Sequence, residues 1–133
     1  SDARRIVVLT GPRQVGKTTL ARSAYAELRY VNLDEPESRE ALREMATRDL
    51  GNAIGPAVFD EAQKEPALFE KLKFAFDGGQ LSFAVLLGSS RFLLLEHVKE
   101  TLAGRTFVFE LFPLMAAEIV TFFGRAPRPP LFD

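Results

Sequence analysis

The chain has 133 residues, 47% of them hydrophobic, which suits one domain with a core of ordinary size. A formal net charge of −1 carries no global mark of a nucleic-acid or membrane binder, though it leaves room for local basic patches. With no cysteine and one histidine, His97, the composition excludes disulfides and thiolate metal sites and argues against a histidine-based catalytic pair or zinc site.

The first run, Arg5-Ile6-Val7-Val8-Leu9-Thr10, is apolar and β-branched and predicts a buried strand. It leads into Gly11-Pro12-Arg13-Gln14-Val15-Gly16-Lys17-Thr18, which fits G-x-x-x-x-G-K-[ST], the phosphate-binding loop (Walker A) of P-loop NTPases. Thr19 to Leu28 follows with good helix formers and apolar residues on one side, so the motif stands between a strand and a helix, as it must. Gly11 and Gly16 permit backbone angles that a Cβ forbids, which lets successive N–H groups turn inward around a phosphate. The helix aims its positive N-terminal end at the same anion. Lys17 is placed to reach the β- and γ-phosphates of ATP, the Thr18 hydroxyl to ligate Mg²⁺, and Thr19 to contact the α-phosphate. Arg13, inside the loop, is either a phosphate contact or a solvated arginine. The bland alternative for the whole motif is a glycine turn.

Tyr30-Val31-Asn32-Leu33-Asp34 predicts a second strand, and Glu35-Pro36 opens a helix with Ala41, Leu42, Met45 and Ala46 on one face. Gly51 to Pro56 returns the chain to Ala57-Val58-Phe59-Asp60-Glu61, an apolar run that ends in two carboxylates, a Walker B pattern. There Asp60 is the candidate for holding Mg²⁺ through water, and Glu61 for orienting or deprotonating the attacking water. The alternative is a strand followed by an acidic turn. Pro66 starts a helix with Leu68, Phe69, Leu72 and Phe76 inward, and Asp77-Gly78-Gly79 ends it. The strand Ser82 to Leu87 runs into Gly88-Ser89-Ser90-Arg91. Ser89, and Ser90 after it, are candidates for sensing the γ-phosphate or positioning water; either serine is equally suited to cap the next helix. That helix turns Leu94, Leu95 and Val98 inward. Thr106 to Leu111 predicts a fifth strand, and Pro113 a last helix with Leu114, Met115, Ile119, Val120 and Phe123 as its apolar residues.

Alternating strand and helix signals predict an α/β fold, a three-layer P-loop NTPase sandwich with a mainly parallel five-stranded sheet and helices on both faces. The Asp60 and Ser82 strands should lie near the P-loop strand, gathering Lys17, Thr18, Asp60, Glu61 and Ser89 at one sheet edge. Most of the twelve phenylalanines fall at core spacing, with Phe122 and Phe123 as candidates for meeting a partner domain. No stretch is long and apolar enough to span a bilayer and no signal-peptide pattern opens the chain, so a cytoplasmic setting is expected. Ser1-Asp2 begins it without an initiator Met, as expected of an excised piece. Residues 1–124 read as the ATPase domain and the proline-rich 125–133 as a linker or truncated end.

The motifs together resemble a family of prokaryotic AAA-type ATPases whose members typically carry a separate C-terminal domain of unknown function. The matching pieces are Gly11 to Thr19, Tyr30-Val31-Asn32-Leu33-Asp34-Glu35-Pro36, Phe59-Asp60-Glu61-Ala62-Gln63, Leu87-Gly88-Ser89-Ser90, and Leu102-Ala103-Gly104-Arg105 leading to Glu110-Leu111-Phe112-Pro113-Leu114. Ala62 stands where a larger aliphatic is common and Leu87 where threonine is frequent. The resemblance implies a γ-phosphate contact by Arg105, within the chain or as a finger into a neighbour, against a plain pairing with a surface carboxylate. It also implies that the C-terminal domain is missing here and that assembly into a homo-oligomer is open. It brings no established substrate.

The leading function is therefore Mg²⁺-dependent ATP binding and hydrolysis coupled to a conformational change of a nucleic-acid or protein client. The alternatives are a nucleotide-gated interaction module with little or no hydrolysis and a small-molecule phosphotransferase. Against the last, Glu61 supplies a water-activating acid and no arginine-rich lid segment is present. The Asn-Lys-x-Asp pattern that reads guanine is also absent.

Overall fold

The computed structural model describes residues 5–12 and 16–111. Its strands are β1 (Arg5–Thr10), β2 (Arg29–Asn32), β3 (Ala57–Asp60), β4 (Phe83–Gly88) and β5 (Thr106–Glu110). They form one five-stranded sheet in the order β2-β3-β4-β1-β5, and every neighbouring pair is parallel. Parallel neighbours need crossovers, which helices supply here. They are α1 (Lys17–Ala24), α2 (Pro36–Glu44), α3 (Leu50–Ala53), α4 (Ala67–Asp77) and α5 (Arg91–Thr101).

Strand alternation divides the core between two faces. In β1, Ile6 and Val8 pack with Leu42 of α2, Leu72 of α4, and Leu94 and Val98 of α5. Val7 and Leu9 pack on the opposite face with Leu20 and Ala21 of α1. Helices thus cover both faces, as the sequence predicts, and β1 is apolar on both sides, which suits a buried parallel strand. Across the sheet Ala57 and Phe59 of β3 belong to the larger cluster, whereas Val58 belongs to the α1 side. Asp60, two residues beyond Val58, follows it to the α1 side.

The local differences from expectation have physical causes. The P-loop helix starts at Lys17 and stops at Ala24, well before Leu28. Tyr25 leaves it to bury its ring against Phe83 at 5.2 Å, which drops the chain into β2. That strand ends at Asn32, where the Asn32 side chain accepts a hydrogen bond from the Asp34 N–H at 3.1 Å and turns the chain. Within α2 only Leu42 is buried; Met45 has extended angles and Ala41 is exposed. The return segment contains the short helix α3, in which Gly51 is pressed against α4's exit: a Cβ there would lie 2.7 Å from Gln80 Cβ. In α4, Leu68, Phe69, Leu72 and Phe76 are buried as predicted. His97 stacks on Phe69 with centroids 4.8 Å apart, a packing role. The expected final helix, Phe122, Phe123 and the 125–133 tail lie outside the described residues. Among those described, no helix is long and apolar enough to cross a membrane.

Candidate functional site

An all-parallel sheet brings the C-terminal ends of its strands to one edge, and the chemistry-bearing side chains gather there. Gly16, after β1, takes left-handed angles (φ 86°, ψ 22°) that suit glycine, and α1 begins at the next residue. Among the described residues no side chain caps that helix, and its first turn, at the cleft, is a ready anion site. Gly11 has a positive φ of 158°, and its N–H donates to the Gly88 carbonyl at 3.3 Å, tying β1 to β4. Lys17 is 3% exposed and its Nζ reaches back to the Pro12 carbonyl at 3.4 Å. Arg13, Gln14 and Val15 lie outside the described residues. Thr19 is exposed.

The Thr18 hydroxyl donates to Asp60 Oδ2 at 2.8 Å, across 42 residues of sequence. A hydroxyl and a carboxylate in contact are hard oxygen donors, the set that suits Mg²⁺, so the residues present fit the ion that the loop motif implies. Tyr30 also donates to Asp60 Oδ2. Its phenol is pushed well above the usual tyrosine range, first by burial and then by the hydrogen bond and negative charge of Asp60. The Arg22 guanidinium sits 4.4 Å from the centre of the Tyr30 ring.

Glu61 is the one non-glycine residue with positive φ among those described, at φ 54°, ψ 48°. Its Oε1 accepts from Ser89 Oγ at 2.9 Å, from the Ser89 N–H at 3.3 Å and from Gln63 Nε2 at 2.7 Å. The two serines make different contacts. Ser89 contacts Glu61, and Ser90 caps α5 by accepting from the Leu93 N–H at 3.3 Å. Gly88 leaves space for this clamp, because a Cβ there would lie 2.6 Å from Gln63 Oε1 and 2.7 Å from Leu94 Cδ2.

Lys17, Thr18, Tyr30, Asn32, Asp60 and Glu61 line a cleft of about 200 Å³ at this edge. Asp60 and Glu61 are 6% and 5% exposed, and the hydrogen bonds from Thr18, Tyr30, Ser89 and Gln63 offset the cost of burying two carboxylates. A wider cleft of about 520 Å³, lined in part by Phe74, Asp77 and Gly78, opens elsewhere, at the end of α4, away from these groups.

Arg105 is not brought to the site within this chain. It precedes β5, at the sheet edge opposite the phosphate loop, and forks onto Asp77 through Nε at 2.7 Å and Nη2 at 2.9 Å. Five residues of strand at ~3.3 Å each separate the two edges, so a γ-phosphate contact in cis is out of reach and pairing with a surface carboxylate is what the fold provides. The hydrogen bonds to Asp77 hold its guanidinium even more firmly protonated than usual.

Tyr30 and Gln63 are two site residues to which sequence reasoning gave no role. Both fall inside segments that resemble the AAA-type family, but nothing in either segment says which oxygen its side chain would meet.

Among curated proteins, the chain is 34% identical over 116 residues to two described as uncharacterized, Mb2031c of Mycobacterium bovis and Rv2008c of Mycobacterium tuberculosis. The similarity covers 86% of this chain and 26% of each of theirs, so the chain spans about a quarter of the length of these relatives. Residues 3–120, nearly the whole chain, match the AAA domain family, which is of nucleotide-binding, ATPase type. The chain belongs to the AAA domain family.

Proposed function

We propose that the chain is a Mg²⁺-dependent ATPase that uses hydrolysis to change the conformation of a client. The observation that carries this reading is the 2.8 Å contact between the Thr18 hydroxyl and Asp60, which joins the loop motif to the strand-end carboxylate. Lys17 and the N-terminus of α1 bind and orient the phosphates. Thr18 and Asp60 hold Mg²⁺, which supplies charge neutralisation at the phosphate oxygens when bound. Glu61 takes the proton of the attacking water, and Ser89 positions Glu61 by donating to it. The division into an ATPase domain of residues 1–124 and a 125–133 linker to a further domain is part of the same proposal. So are a homo-oligomer, in which Arg105 would have to leave Asp77 to reach a neighbour, and a cytoplasmic setting.

Phosphate release from MgATP, followed against protein concentration with Glu61→Gln alongside, tests this. Release should fall about 10²–10⁴-fold in Glu61→Gln while ATP binding persists, the range expected for loss of a general base. A rate that rises faster than linearly with concentration supports completion of the site by a neighbouring subunit. Binding without turnover in the unmodified chain favours a nucleotide-gated interaction module. The observation on that side is the Glu61 carboxylate oxygen already occupied by three donors from Ser89 and Gln63.

A further inference from the structure

We propose that Tyr30 is a positioning residue for the metal-binding carboxylate: its hydroxyl, with the ring braced by Arg22, holds Asp60 in the orientation that Mg²⁺ binding with ATP requires. The inference rests on the reading of Asp60 as the Mg²⁺ residue. Four observations carry it.

Tyr30 is in register with Val58, so Asp60 is its diagonal neighbour on the α1 face of the sheet. The Tyr30 hydroxyl and the Thr18 hydroxyl both donate to Oδ2 of Asp60, and Oδ1 makes no hydrogen bond to the described residues. A carboxylate fixed through one oxygen presents the other in a defined direction, which is what a metal or its bound water needs. The Arg22 guanidinium over the Tyr30 ring ties β2 to α1, the helix that begins at Lys17, so the donor and the phosphate-binding end are held by one element. Finally, the Tyr30 ring is partly buried and packs against the α1-side core cluster. The hydroxyl adds only the contact to Asp60, inside the cleft that the two residues share.

The test is binding of N-methylanthraniloyl-ATP, followed by fluorescence in EDTA and at graded Mg²⁺ concentrations. Wild type, Tyr30→Phe and Asp60→Asn are compared after thermal melts show that each is folded. In Tyr30→Phe, affinity in EDTA should stay within about twofold of wild type, while the Mg²⁺ concentration needed for half-maximal tightening rises about 10-fold, the lower end for loss of a partner to a metal-ligating carboxylate. Arg22→Gln keeps the hydroxyl but frees the ring, and should shift the Mg²⁺ dependence in the same direction by less; it stands in if Tyr30→Phe does not fold. An unchanged Mg²⁺ dependence in Tyr30→Phe, or affinity lost equally with and without Mg²⁺, overturns the inference and leaves the ATPase reading intact. A wild-type chain whose nucleotide binding ignores Mg²⁺, as Asp60→Asn should, overturns the reading of Asp60 itself and this inference with it.

Discussion

Glu61 sits in left-handed backbone angles that cost a non-glycine residue on the order of 1–3 kcal/mol, and such strain persists only where the surroundings over-determine it. Here three hydrogen bonds from Ser89 and Gln63 do so. Tyr30 is the second residue whose state the fold sets. The folded chain raises its phenol well above the ordinary value near 10, so between that value and the folded one the native state keeps a proton that the unfolded chain has released. The contribution to stability is therefore complete below pH 10 and is lost as pH rises through the folded value. Urea unfolding at pH 9 and pH 11 should show a smaller alkaline loss in Tyr30→Phe than in wild type; an equal loss would mean that Tyr30 titrates normally. At this scale the chemical types Lys17, Thr18, Asp60 and Glu61 were legible, because the loop motif and the strand-end carboxylates are local patterns. The hydrogen bonds of Tyr30 and Gln63 were not, because a side chain's partner across the sheet depends on register.

At the scale of elements, the junction of β4 with α5 carries the most coupling. Gly88 ends β4, Ser89 reaches Glu61, Ser90 caps α5, and Leu94 of α5 packs over the glycine. A methyl group at Gly88 would press on Gln63 and Leu94 together, so Gly88→Ala should cost about 1–3 kcal/mol by overpacking. The same shift should loosen the Gln63 contact to Glu61 and change phosphate release without changing ATP affinity. Thermal melts and nucleotide titration check both halves; full stability would show that the site absorbs the methyl group. Strand and helix types were readable from periodicity, whereas their ends were set by tertiary demands. Burial of Tyr25 stops α1 early, and Gly51 sits in the short α3 with Gln80 so close that a Cβ would clash.

For the whole molecule, the parallel sheet separates two edges. One gathers Lys17, Thr18, Asp60, Glu61 and Ser89; the other holds the Arg105–Asp77 fork. That pair is partly exposed, so Arg105→Ala should cost about 0–1 kcal/mol in stability and leave ATP affinity unchanged. If Arg105 serves a neighbouring copy, the substitution removes the rise of specific activity with protein concentration; a tenfold loss of ATP affinity would contradict its placement in this chain. The sequence by itself determined the α/β class, the phosphate loop in its strand-to-helix context and the carboxylates at a strand end, since each is written in contiguous residues and in period. Tertiary structure alone decided which groups meet. Strand order and register bring Thr18, Tyr30 and Asp60 onto one oxygen and Ser89 onto Glu61, and they send Arg105 to the far edge, because direction and alternation along parallel strands dictate where each side chain can reach.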